Sequence, residues 1–225
     1  MFTDVIAALS TAPGRAALSV IRVSGEGALD VVGTVVRDSG GDALDLQGLE
    51  PRRSVLVRVI GADHGAIDQA VLTVYRAPAS YTGQDLVELS CHGGLLVPAQ
   101  VLTALFAAGA RPAAAGEFTR RAVLNGKLDL LQAEAVGDLI DASAPVQARA
   151  ALHQLDGGLS QRLTELRESM LELLALLSYD IDFPEEDEGP VPWSKIREHR
   201  ERVVAQVERL LATAPAGEQI GRAHV

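Results

Sequence analysis

Three charged residues stand where charge needs a reason. Arg22 lies inside the apolar run Ala17 to Val23 (ALSVIRV), and Glu88 inside Leu86 to Ser90 (LVELS). Lys127 follows an Asn-Gly break, Asn125-Gly126-Lys127, between two amphipathic helix pieces. Burying a carboxylate in mid-strand is costly without a partner, so Glu88 is either on an exposed face or paired. If it lines a pocket, its two oxygens can accept parallel N–H bonds from a guanidine-like ligand edge. Arg22 either bridges to Glu88 structurally or faces a ligand. Lys127 is either a solvated surface lysine or an ammonium that the turn holds toward a cleft, where it can bind an anion. A cleft holding Arg22, Glu88 and Lys127 suits a ligand with both a hydrogen-bonding ring and carboxylates.

Other chemistries find little support. There is no GxxxxGK[ST] loop, no HExxH, no GxSxG and no GxGxxG after a strand. Cys91 and His92 are strand neighbours whose side chains point to opposite faces, which disfavours a Cys–His nucleophile pair. His92-Gly93-Gly94 is expected to open a helix whose free N–H groups offer a weak anion site. With one cysteine, an intrachain disulfide and a multi-cysteine metal site are excluded. The run Asp180 to Glu188 holds six carboxylates, most of the formal charge of −10, and lacks the glycine spacing of a calcium hand. It reads as a solvated interdomain face. No metal ligand and no catalytic residue is expected within these residues. An acidic balance disfavours unaided binding to nucleic acid.

The elements that must position the trio follow from periodicity. Ala17 to Val23, Arg53 to Ile60, Ala70 to Tyr75 and Leu86 to Ser90 are short, rich in β-branched residues, and punctuated by Gly, Pro or Asp, as strands are. Gly25 to Val36 and Leu95 to Ala108 read as helices, the second with Pro98 in its first turn and Gly109 after its end. Strand alternation puts Leu86, Glu88 and Ser90 on one face and Val87, Leu89 and Cys91 on the other. Beyond about residue 118 the strand signal disappears. Asn125 and Gly126 can end one helix, while Asp129 with Gln132 can form a capping-box-like start to the next, stapled by Leu128 and Ala133. Leu159, Leu163, Leu166, Met170, Leu173 and Leu177 step by 4, 3, 4, 3 and 4, the apolar stripe of a helix packed on other helices. Ser194 is placed to cap a final helix that buries Ile196, Val203, Val207 and Leu210. The expected fold class is α+β: a mixed sheet-and-helix domain over 1–117 and an incomplete all-α region over 118–219. Residues 220–225 (IGRAHV) leave the preceding periodicity and are expected to be a non-native tail. A cytoplasmic location is expected, since there is no signal peptide and no long apolar run.

Four segments together resemble the N-terminal part of the MnmE (TrmE) family of tRNA-modifying GTPases: "DVIAALSTAPGRAALSVIRVSG", "SYTGQDLVELSCHGG", "GEFTRRAVLNGKLDLLQAEAVGDLIDA" and "IDFPEED". The resemblance implies a folate-binding and dimerising N-terminal domain related to the aminomethyltransferase of glycine cleavage, then the first part of a helical domain. It implies that Arg22, Glu88 and Lys127 contact 5-formyltetrahydrofolate or a related tetrahydrofolate. For the full-length protein it implies GTP hydrolysis with potassium and magnesium, a homodimer, the flavoprotein partner MnmG (GidA), and tRNA as substrate. The product carries a (carboxymethyl)aminomethyl group on carbon 5 of the wobble uridine. No membrane is implied, and this chain alone is expected not to hydrolyse GTP. Gln84 stands where members often have Glu, and Ala115 where many have Pro. Two alternatives remain, a folate-dependent aminomethyltransferase and a non-catalytic dimerisation module.

Overall fold

The structure is a computed structural model that describes residues 3–182 and 191–221, with side chains through residue 212. The acidic run from Phe183 onward and the last four residues lie outside the described residues. The chain divides into two units, Met1–Asp129 and Leu130–Val225.

In the first unit, short apolar stretches separated by turns pair into one seven-stranded sheet. Its strands are β1 (Ile6–Leu9), β2 (Leu18–Ser24), β3 (Val36–Arg37), β4 (Ser54–Ile60), β5 (Ala66–Tyr75), β6 (Leu86–His92) and β7 (Arg111–Pro112). The order across the sheet is β3-β4-β5-β6-β2-β1-β7. Only the β1–β7 pair is parallel. One face buries Ile21, Val23, Val57, Val59, Leu72, Val74, Val87 and Leu89 against two helices, α1 (Ala28–Val35) and α2 (Val97–Ala107). These helices contribute Leu29, Val32, Val101 and Leu105 to the same core. Each such side chain supplies on the order of 1.5–3 kcal/mol on leaving water, which makes this face the source of the unit's stability. The opposite face carries Leu18, Leu56 and Val71, all more than 40% exposed, together with Arg22 and Glu88.

Strand and helix positions follow the sequence pattern with shifted ends. The expected helix over 25–36 starts at Ala28, because Gly27 adopts a left-handed φ of 84° ahead of it. Pro98 does lie in the first turn of α2, and Gly109 follows that helix at φ 109°. A third helix, α3 (Glu117–Leu124), belongs to the first unit, although the loss of strand signal placed the boundary at 117/118. Arg121 explains this placement: its buried guanidinium donates to the Asp4 carbonyl at 2.7 Å and the Asp4 carboxylate at 2.8 Å, fastening α3 to the start of the sheet.

The second unit is helical: α4 (Leu130–Asp141), α5 (Pro145–Leu155), α6 (Gly158–Asp182) and α7 (Trp193–Gly221). Two glutamines clasp α4 to α5, Gln132 donating to the Leu155 carbonyl at 2.9 Å and Gln154 to the Leu131 carbonyl at 3.0 Å. Helix α7 already begins at Trp193, so Ser194 falls inside its first turn rather than before it. Ile196 is buried, but the stripe along α6 is covered only in part: Leu163, Met170 and Leu177 remain exposed. With Leu166, Leu173, Leu174 and Val203 they line an open apolar groove of about 550 Å³. Among the described residues no helix is long and apolar enough to cross a membrane.

Candidate functional site

The register of β2 against β6 sets Arg22 directly opposite Glu88, so the two interruptions of the apolar pattern meet. Arg22 Nε donates to Glu88 Oε1 at 2.7 Å. From β5, the Tyr75 hydroxyl donates to Glu88 Oε2 at 3.3 Å. Burial and the neighbouring Glu88 charge push the Tyr75 phenol above its ordinary pKa. The Arg22 guanidinium carbon lies 5.4 Å from the centre of the Tyr81 ring, within cation–π range. Of the readings open for Glu88, the paired one holds, and Arg22 is its partner. Among the described residues, no protein group pairs with the two terminal nitrogens of Arg22.

Lys127 arrives by a helix stop. Gly126 takes a left-handed φ of 68°, Gly126 N–H donates to the Val123 carbonyl at 3.0 Å, and Lys127 N–H to the Ala122 carbonyl at 2.8 Å. This is the doubly bonded C-terminal motif that glycine makes possible, and it fixes the Lys127 backbone. Asn125 uses its amide to bond the Thr82 carbonyl at 2.7 Å, bringing the turn against the loop Ser80–Asp85. Gly83 in that loop has φ 76°, and a Cβ there would sit 2.9 Å from Asn125 Cβ and 3.2 Å from Lys127 Cγ. The Lys127 stem thus lies along Gly83 while its ammonium is exposed, without a carboxylate partner among the described residues. Among the described residues, no hydrogen bond or ion pair joins Lys127 to Arg22 or Glu88. One loop joins them instead, with Tyr81 beside Arg22 and Gly83 beside Lys127.

Several positioning groups escaped the sequence reading. Helix α3 holds the loop at three points: Thr119 Oγ1 to the Tyr81 hydroxyl at 2.9 Å, Asn125 to Thr82, and Arg121 Nη1 to Gln84 Oε1 at 3.1 Å. Gln84 is therefore an acceptor for Arg121. At the start of α3, Glu117 is 1% exposed and takes two bonds from Arg111, at 3.0 and 2.8 Å, and one from Arg121 at 3.0 Å. Bonding to Arg111 is the main cause that holds the Glu117 carboxyl down to about 2, with the Ala114 N–H and Arg121 adding to it against the opposing effect of burial. The sequence signal available was the spacing of Glu117 and Arg121, one helical turn apart in GEFTRR.

The weaker motifs resolve differently. Helix α2 begins at Val97, and Gly93 N–H is spent on the Ala17 carbonyl at 3.0 Å, so His92-Gly93-Gly94 does not open the helix. Cys91 is buried with its thiol pKa raised by burial, while exposed His92 bonds Asp68 through Nδ1 at 2.7 Å. The two side chains part as strand alternation requires.

Fold and site together define a two-unit protein: an α+β unit that presents a paired arginine and carboxylate beside a fixed loop, followed by a helical unit. The family model described as GTP-binding protein TrmE N-terminus matches residues 5–127, and the one described as MnmE helical domain matches residues 130–222. The chain belongs to the MnmE (TrmE) family of tRNA modification GTPases, of which it holds N-terminal and helical domain sequence. It is similar to a tRNA modification GTPase MnmE of Thermus thermophilus, 49% identical over 214 residues, covering 95% of this chain and 48% of the relative. The protein of the same name from Akkermansia muciniphila is 44% identical over 212 residues, 94% of this chain and 46% of the relative. That from Salinibacter ruber is 45% identical over 219 residues, 97% and 46% respectively. The chain spans about half the length of the curated relatives it matches.

Proposed function

We propose that this chain is the folate-binding and dimerising part of a tRNA-modifying GTPase. The observation that carries the reading is the arrangement of Arg22, Glu88 and Lys127 around one fixed loop, with cationic nitrogens left over for an anionic ligand. The residues fit a tetrahydrofolate. The exposed Lys127 ammonium and the terminal nitrogens of Arg22 suit its carboxylates. Each Glu88 oxygen holds one protein donor and keeps a second lone pair for the donor edge of a pterin ring. Bound 5-formyltetrahydrofolate, or a related tetrahydrofolate, supplies the one-carbon unit.

The complete protein, on this reading, is a homodimer through the first unit. It works in the cytoplasm with the flavoprotein MnmG (GidA) to place a (carboxymethyl)aminomethyl group on carbon 5 of the wobble uridine. GTP, potassium and magnesium belong to a G domain, for which these 225 residues contain no phosphate-binding loop motif. The test is mass spectrometry of wobble uridines from cells whose full-length protein carries Glu88→Gln or Lys127→Ala. Loss of the modification is expected, and wild-type levels in both variants would sink the reading. Light scattering at micromolar concentration is expected to report a dimer; a monomer would refute the interface.

A further inference from the structure

The loop Ser80–Asp85 is held from two sides. Toward the sheet, the Ser24 hydroxyl meets the Thr82 hydroxyl at 2.7 Å, and Ser80 Oγ bonds the Gln84 carbonyl across the loop. Toward α3, the three bonds from Thr119, Arg121 and Asn125 meet the consecutive stretch Tyr81 to Gln84. Of these, the bond to Thr119 has a different consequence from the others. Asn125 and Arg121 fix backbone and a loop amide, whereas Thr119 fixes the far end of an aromatic ring whose body lies against Arg22. The phenolic oxygen lies on the long axis of the ring, so anchoring the hydroxyl fixes where that axis lies and keeps the ring beside Arg22.

We propose that Thr119 is a positioning residue for Arg22, acting through Tyr81. Among the described residues, no hydrogen bond joins Thr119 to Arg22 or Glu88. It holds the Tyr81 hydroxyl at 2.9 Å, the ring stands 5.4 Å from the Arg22 guanidinium carbon, and Arg22 reaches Glu88 through Nε alone. With a single bond to the carboxylate, the guanidinium can still rotate about that contact. A ring held at that place offers the guanidinium a cation–π contact that favours one of its orientations. The inference rests on the folate reading for what the terminal nitrogens of Arg22 meet, but the chain Thr119–Tyr81–Arg22 does not depend on it.

The experiment uses the full-length protein and two readouts: affinity for 5-formyltetrahydrofolate, and the Arg22 Nε–H resonance in the ligand-free, 15N-labelled protein. Thr119→Val removes the hydroxyl at nearly constant volume, Thr119→Ser keeps it, and Tyr81→Phe removes the other end of the same bond. Thr119→Val and Tyr81→Phe are each expected to weaken binding roughly two- to tenfold, the scale of one net hydrogen bond. Both should move the Arg22 resonance, with the melting temperature unchanged. Thr119→Ser should restore both readouts, and the double variant should lose no more than either single one, because both break one bond. Wild-type affinity and an unmoved resonance in Thr119→Val would overturn the proposal, as would additive losses in the double variant. If the wild type binds no folate and the resonance still moves, the positioning role stands and the ligand reading falls.

Discussion

Arg22 and Glu88 face each other across β2 and β6 in direct register, joined by one bond of 2.7 Å from Nε to Oε1. Their side chains remain 33% and 25% exposed, so solvent screens much of the attraction. A cross-strand pair of this kind is worth only about 0.2–1 kcal/mol to the fold. The core on the opposite face does not need it, so the binding role proposed for the pair can be tested apart from its contribution to stability.

The first expectation follows from that separation. Glu88→Gln should lower unfolding free energy by less than about 1 kcal/mol, measured by urea denaturation. A much larger loss would assign the pair to the core rather than to a ligand.

Gly83 ties the site loop to Lys127. At φ 76° alanine is strained, and its Cβ would press on Asn125 at 2.9 Å and on the Lys127 stem. Gly83→Ala should therefore cost about 1–3 kcal/mol and displace the Lys127 turn. Gly109 also has a left-handed φ, of 109°, but open space around it, so Gly109→Ala should show the strain alone. Amide chemical shifts of Asn125 to Lys127 that move equally little in both variants would contradict the contact.

Glu117 makes an acid-sensitive joint. Its folded pKa of about 2 lies below the ordinary value of 4.5, so the unfolded chain binds its proton first as pH falls. The stabilisation is present in full above about 4.5 and is lost as pH falls toward 2. Its scale is about 3 kcal/mol. Glu117→Gln should destabilise the protein by roughly 3–5 kcal/mol at neutral pH, since Arg121 loses a buried partner. It should also flatten the stability curve in that acid window. An unchanged acid slope in denaturant melts would assign the loss to other carboxylates.

Much of this architecture is legible in the residues themselves. Strands β2, β4 and β6 alternate in burial over most of their length because one sheet face is buried and the other is not, the exceptions being Val23-Ser24 and Leu86-Val87, where both neighbours are buried. The first half of β5 escapes notice because Asp68 and Gln69 carry polar side chains there, and β3 and β7, at two residues each, are too short for any period. Arg22 and Glu88 stand out as interruptions, but only strand register decides that they meet. No periodicity relates Tyr81 to Thr119, a contact between a loop and a helix 38 residues apart in the chain. The α6 stripe reads as fully buried because spacing records which face is apolar, not whether these residues cover it.

The central claim is that Arg22, Glu88 and Lys127 form one folate site, and calorimetric titration of the chain with 5-formyltetrahydrofolate tests it most directly. Binding by the wild type is predicted, weakened roughly ten- to hundredfold in Glu88→Gln and in Lys127→Ala, the scale of one charged hydrogen bond. Equal binding by all three proteins, or none by the wild type, would contradict the account.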